Sequence, residues 1–514
     1  MLKMQTQEEN TNISKIISCK KYLLEINNRY NILIIGETDN NSIFFRIILN
    51  KRGGCFEKTI NFQNCETNKI YNDFANGIKN NKLRLYQIGT RLFLCFSDNS
   101  YRLDLFLNYS PQKLDKNYDL IIGCNLDSIK NNIIFDLSNL LLNNNDFQKL
   151  NTIKFNAKIL NLDGNYISDL SLLNCENYQF LEKLILSNNG LKNIDLINKL
   201  RFDNLKELFL SNNNIENIKA LKNNTLKNLE TLILSGNYIS DISILEEVSF
   251  TNLLNLDLSR NKIEDISPLK NTDFDKLIML NLSSNNIVDF SIFEKISLDS
   301  LEDLNLSFNN IQKINMKKLF FKKLKNLNLS RNKIAEIYFN GRVQLFKLKI
   351  IDLSSNLIEN ITITKDIKIN KISKLILANN NIKDISFLEN IEMKNLRHLN
   401  LRNNKIEDIN ILGDLDINLI SYLDLGYNLI TDIKILKSMS LENLNTLSLN
   451  NNKIKKIGDL ENLFMPKIKE INLRGNVINF ELHTNIDILT IINYNFRNNR
   501  FFYFYCDSID QYYF

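Results

Sequence analysis

From about Ile153 onward, apolar and polar positions follow a pattern that returns every 24 residues. The stretches LEKLILSNNGLKNI, LKELFLSNNNIENI, LETLILSGNYISDI and LLNLDLSRNKIEDI align on one asparagine each. The anchors are Asn165, Asn189, Asn213, Asn237, Asn261, Asn285, Asn309, Asn332, Asn356, Asn380, Asn404, Asn428, Asn452 and Asn476. Every step is 24 residues except one of 23, between Asn309 and Asn332. Three residues before the anchor all 14 units carry Leu; five before, twelve carry Leu and two Ile (Ile351, Ile471). Two after it, thirteen carry Ile and one Leu191.

A Leu-x-Leu pair has period two, so both leucines face the same side of a short strand. A single unit cannot bury that edge alone; stacking units in register makes one continuous core. The anchor sits where the chain bends inward, and buried backbone groups there need partners. A side-chain amide donates and accepts, so a ladder of asparagines is expected to bond neighbouring turns.

The pattern L-x-x-L-x-L-x-x-N-x-I-x-x-I resembles the leucine-rich repeat family. The frequent continuation D-I-x-x-L (Asp241 to Leu245, Asp265 to Leu269, Asp384 to Leu388) resembles the phosphatase-regulator and internalin-like class, with a departure in period from near 22 to 24. The resemblance implies an α/β leucine-rich repeat solenoid with a concave parallel sheet and a convex side of short helices or 3-10 turns. It also implies a non-catalytic binding module, and it names no partner.

A second apolar column lies eight residues after the anchor: Leu173, Ile197, Leu221, Leu245, Leu269 and Phe293, then Leu388, Leu412, Leu436 and Leu460. It is expected to pack the convex segments onto the sheet. Lys317, Asn340 and Thr364 break it in three consecutive units. Thr362 to Lys371 alternates like a strand. The convex face is therefore expected to change structure from about 315 to 371.

Three segments follow: a small N-terminal α+β or α/β domain over 1–150, which caps the solenoid or stands beside it, 14 repeat units over 151–482, and an aromatic cap or docking tail over 483–514. In the first, Asn12 to Asn27 and Glu66 to Lys79 read as helices. Asn31 to Ile35, Ser42 to Leu49, Leu83 to Ile88, Arg91 to Phe96, Tyr101 to Leu107, Tyr118 to Ile122 and Ile133 to Leu137 read as strands. NILIIGETDNNSIF resembles the first strand and loop of a P-loop protein. With Gly36 as its first glycine, however, the second glycine falls on Asn41, the lysine on Ser42 and the hydroxyl on Ile43, so phosphate and metal contacts fail. In the tail, Phe501, Phe502, Tyr503, Phe504, Tyr505, Tyr512, Tyr513 and Phe514 suit a strand folded over the last turn, or a docking segment.

Composition narrows function further. Gly (14) and Pro (3) are scarce, and hydrophobic residues make up 44%. No apolar run reaches the 18 residues of a spanning helix, and Met1 to Asn10 lacks a secretory core. Seven dispersed cysteines suit a reducing, cytoplasmic setting better than a disulfide or zinc framework. A net charge of +6 over 514 residues gives no case for nucleic acid. No cofactor or metal is expected, the partner is expected to be a protein with no membrane involved, and oligomeric state stays open.

Positions two, four and six before the anchor are expected to face out of the concave sheet. The position two before is mostly serine, and the position four before is Asn or Asp in nine units. Ile185, Phe209 and Ile233 depart from this on adjacent turns as a contiguous apolar stripe. His398, Arg402, Tyr422, Asp424 and Tyr427 are expected to cluster on two neighbouring turns as a protein-binding hot spot. His398 has no cysteine or second histidine near it in register, so a nucleophile-base arrangement is not expected. Lys317-Lys318 and Lys322-Lys323-Lys325 read as solvated convex surface. The favoured reading is a non-catalytic scaffold or adaptor binding a macromolecule on the concave face. The alternative is an enzyme or degenerate nucleotide-binding protein with its site in 1–150.

Overall fold

The computed structural model describes strands between 19 and 105, then 134–136, 138–139, 142–144, 158–170, 180–195, 197, 201–222, 224–364, 369–461, 463–478, 503–506 and 509–513. The chain divides into two compact units, Met1–Ile167 with Leu172–Tyr178, and Ser168–Ser171 with Gln179–Phe514.

In the first unit Cys19–Leu23, Asn31–Thr38, Ser42–Leu49 and Gly54–Asn61 form an antiparallel sheet in that order. Leu83–Ile88, Arg91–Phe96 and Arg102–Leu105 form another. Within the expected helix Asn12 to Asn27, residues Cys19–Leu23 are instead a strand bonded to the next one. Sheet pairing outweighs a weak helical period there. Gly54–Asn61 is a strand that the sequence pattern does not announce. The expected helix Glu66 to Lys79 and strand Tyr118 to Ile122 lie outside the described residues. Gly36 sits inside a strand opposite Phe44, so the P-loop-like motif is the arm of a hairpin and not a strand-loop-helix turn.

This unit also holds a turn that precedes the recognisable repeats. Ile134–Asp136 pairs in parallel with Ile159–Asn161, Phe135 opposite Leu160. The Leu142 N–H donates to Asn165 Oδ1 at 3.0 Å, as in later turns. Leu140 follows Asn139 where an anchor asparagine would stand, and the step to the next turn is one residue longer than usual, which hides the turn from a period search.

The second unit carries one three-residue strand per turn, from Lys183–Ile185 to Glu470–Asn472, each paired in parallel with the next in a long curved sheet. Leu184, Leu186 and their equivalents are fully buried, as are Leu191 and Ile215 two after the anchors. The expected convex column is buried wherever it is described, including Ile197, Leu245, Phe293 and Leu436. Outside the leucines, Phe202, Phe250, Phe293 and Phe321 fill the width between sheet and convex layer.

The anchors bond adjacent turns as the amide chemistry requires. Asn285 Nδ2 donates to Leu258 O of the preceding turn and to Leu282 O of its own, both at 3.0 Å. Its Oδ1 accepts the Ile263 N–H at 3.0 Å. The residue before each anchor has a left-handed backbone, from Asn188 (φ 52°) to Asn451 (φ 53°). Asn and Gly hold this position in most turns because they tolerate positive φ best.

Convex segments are 3-10 turns such as Ser243–Glu246, Ser267–Asn271 and Ser386–Asn390. In three consecutive turns they give way to a parallel sheet of Lys313–Phe320, Glu336–Gln344 and Asn360–Ile363, where the sequence loses its convex apolar column. The 23-residue step is absorbed there. Met316 pairs with Phe339, yet Lys318 pairs with Arg342, so the longer strand bulges by one residue while the concave register stays unbroken. At the C-terminal end Tyr503–Cys506 pairs in parallel with Glu470–Asn472, Phe504 opposite Ile471, and Ile509–Tyr513 returns antiparallel. Among the described residues no helix is long and apolar enough to cross a membrane.

Candidate functional site

The concave floor has three zones, each set by what replaces the consensus. In the middle zone the Asn or Asp four before the anchor accepts a backbone N–H two residues on. Asp257 Oδ1 takes Ser259 N–H at 2.9 Å, and Asn281, Asn305, Asn328 and Asp352 repeat this. The serine hydroxyls of Ser307, Ser330 and Ser354 donate to the same oxygens. These polar groups are largely spent on the floor itself, which leaves a small-residue surface with few specific handles.

At the N-terminal side Ile185, Phe209 and Ile233 lie opposite one another across successive strands. They are half-buried rather than fully exposed. Lys183 Nζ lies 4.7 Å from the Phe209 ring centre and 2.6 Å from Glu207 Oε2, so a cation and its partner flank the stripe.

Seven strands farther along, the other five candidates form one connected group. His398 lies opposite Tyr422, and their rings stack with centroids 4.1 Å apart and planes 4° apart. The Tyr422 hydroxyl donates to Asp424 Oδ2 at 3.2 Å. Asp424 is buried, and its Oδ1 accepts the Gly426 N–H at 2.9 Å. The Arg402 guanidinium lies over the Tyr427 ring at 4.3 Å, with Nη1 3.3 Å from Asn450 Oδ1 and 3.9 Å from Asp424 Oδ2. Tyr427 has φ 55° and is 44% exposed, so a bulky ring is held in a backbone region that disfavours it. The two candidate groups are not brought together.

Electrostatics follow from this packing. Burial holds the His398 pKa below its usual value, Lys374 lowers it further and Asp424 opposes both. The imidazole is therefore neutral near pH 7 and stacks as an aromatic. Burial, then the Asp424 charge, pushes Tyr422 up to about 12, so its hydroxyl stays a donor.

Sequence columns miss Asn450, which reaches Arg402 from two turns away and also accepts the Ser448 hydroxyl at 2.8 Å. Gly426 carries the missing signal. It replaces the usual serine, and a Cβ there would collide with Asn450 Oδ1 and crowd Arg402 and Asp424. Only a residue without a side chain leaves room for the network. Among the described residues no cluster of His, Cys, Asp or Glu could hold a metal ion.

A family model described as leucine-rich repeats (two copies) matches residues 227–271 and 371–414. Comparison with curated proteins gives no match. Among solved structures, the APL1 leucine-rich repeat domain is 19% identical with a TM-score of 0.53, over 74% of this chain and 93% of that one. The LRIM1/APL1C complex is 19% identical with a TM-score of 0.50, over 71% of this chain and 62% of that one. An internalin, inlF of Listeria monocytogenes, is 24% identical with a TM-score of 0.49, over 68% of this chain and 88% of that one. At such identities the likeness is one of fold.

Proposed function

Because the chain is a leucine-rich repeat protein, we propose that it is a non-catalytic scaffold or adaptor that holds a protein partner against the concave face of its repeats. The supporting observation is where the repeat departs from its own consensus. The outward columns carry small, self-satisfied polar residues in the middle turns and large or charged side chains on either side of them. Aromatic and arginine side chains held rigid by neighbours suit protein recognition, because little entropy is lost when they are covered. A floor of thirteen strands at about 4.8 Å each also fits a macromolecule better than a metabolite.

Affinity capture from the source cell tests this reading with Phe209→Asp, Arg402→Glu and the convex control Lys322→Glu. Loss of a shared partner in either concave variant, with the control unaffected, is the expected outcome. Retention by both concave variants and loss with Lys322→Glu would place binding on the convex side.

A further inference from the structure

Resting on the concave-face reading and extending it, we propose that the edge of the floor at Lys349, Lys374 and Arg397, with Arg402 on the floor beside it, takes an acidic segment of a protein partner. From Lys183 to Lys325, lysines in the two columns that lead into each strand are neutralised by an acid one turn away. Lys183 meets Glu207 at 2.6 Å, Lys206 meets Glu182 at 3.5 Å, and Lys325 meets Glu302 at 2.6 Å. From Lys349 to Thr446 neither column holds an acid; its members include Ser373, His398, Ser421 and Asn445. Lys349, Lys374 and Arg397 accordingly have no ion pair among the described residues.

Backbone geometry gathers these charges. Ser373 and Lys374 N–H groups donate to Lys349 O, while Arg397 and His398 N–H groups donate to Ser373 O. Lys374 pairs in register with His398. Successive turns lie about 4.8 Å apart, within a Debye length of about 8 Å, so the charges reinforce one another. Arg402 adds a guanidinium held flat on Tyr427 and steadied by Asn450 through one nitrogen. Its other guanidinium nitrogens make no hydrogen bond or ion pair among the described residues, which leaves donors for a carboxylate. Asp424 offsets part of the Arg402 charge, with its Oδ2 3.9 Å from Nη1, whereas Lys349, Lys374 and Arg397 have no such partner among the described residues. A protein segment is favoured over single-stranded nucleic acid because His398 and Tyr422 stack on each other and not as separate platforms between cations.

The test is fluorescence anisotropy of the full chain with a labelled glutamate-rich peptide, a lysine-rich peptide and an oligouridylate. The glutamate-rich peptide is expected to bind, more weakly as salt rises. Lys374→Glu with Arg397→Glu is expected to weaken it at least about tenfold, and the neutral pair Lys374→Gln with Arg397→Gln by less. The control Lys322→Glu should leave it unchanged, and thermal melts verify that each variant is folded. No binding of the glutamate-rich peptide, equal binding by the charge-reversed variant, or stronger binding of oligouridylate would overturn the proposal. Should the concave variants lose their captured partner while the glutamate-rich peptide fails to bind, only the acidic-segment inference falls. Should they keep that partner, the concave reading itself falls.

Discussion

Single side chains decide both the stack and its surface. An anchor such as Asn285 serves two carbonyls and one N–H in two turns, all buried. Removing its amide leaves those groups without partners at a cost of about 1–3 kcal/mol each in the worst case. Asn285→Ala is expected to destabilise the protein by about 3 kcal/mol in urea unfolding, whereas the exposed neighbour Asn286→Ala should stay within about 0.5 kcal/mol. Equal effects would mean that the ladder is ornamental. His398 gives a second residue-scale prediction. Its folded pKa is depressed, so its contribution to stability is present above the unfolded value near 6.5 and is lost as pH falls through the folded value. Between pH 7.5 and 5 the melting temperature of the wild type should fall more than that of His398→Gln. The chain has only two histidines, and the other, His483, is present in both proteins. Parallel pH profiles would show that burial of His398 is not linked to folding.

At the scale of elements, an aspartate at one position accompanies most of the convex 3-10 turns, although Lys456 holds that place ahead of the 3-10 turn Gly458–Leu460. Four residues after the anchor, Asp241, Asp265, Asp289, Asp384, Asp408 and Asp432 each accept the N–H two residues on. This bond closes the turn that opens the 3-10 segment and, with neighbouring groups, holds the Asp241 and Asp432 carboxyls below their ordinary pKa. Lys313 and Glu336 replace it where strands form, and they pair with each other at 3.2 Å across the convex sheet. Asn360 opens the third strand despite keeping a capping residue type, so its neighbours override the local preference. Asp384→Ala should cost about 1 kcal/mol, and Lys313→Ala less than about 0.5 kcal/mol because its ion pair is exposed. Chemical denaturation of the two variants checks the difference, and the reverse order would remove the capping explanation.

Across the whole molecule, the legible parts were those that repeat. Leu186, Leu210 and Leu234 are buried and Ile185, Phe209 and Ile233 line the floor because a period of two admits no other register. The change in the convex face was legible through Lys317, Asn340 and Thr364, which interrupt an otherwise apolar column, but its form as a sheet of Lys313–Phe320, Glu336–Gln344 and Asn360–Ile363 was not. The turn at Ile134–Asp136 was not, because its anchor column holds Leu140 and its step is irregular. Nor was Cys19–Leu23, since five residues beside other strands carry little period of their own. At the site, residues sharing a column or a turn could be placed together, but the bond from Arg402 to Asn450 spans 48 positions and depends on the space above Gly426.

The central claim is that partners meet the floor and not the back of the repeats. Site-specific photocrosslinking in the source cell tests it most directly, with p-benzoylphenylalanine replacing Phe209 or Tyr422 on the floor and Lys322 on the convex side. The account predicts a discrete crosslinked protein from at least one floor position and none from Lys322. Crosslinking from Lys322 alone would contradict it.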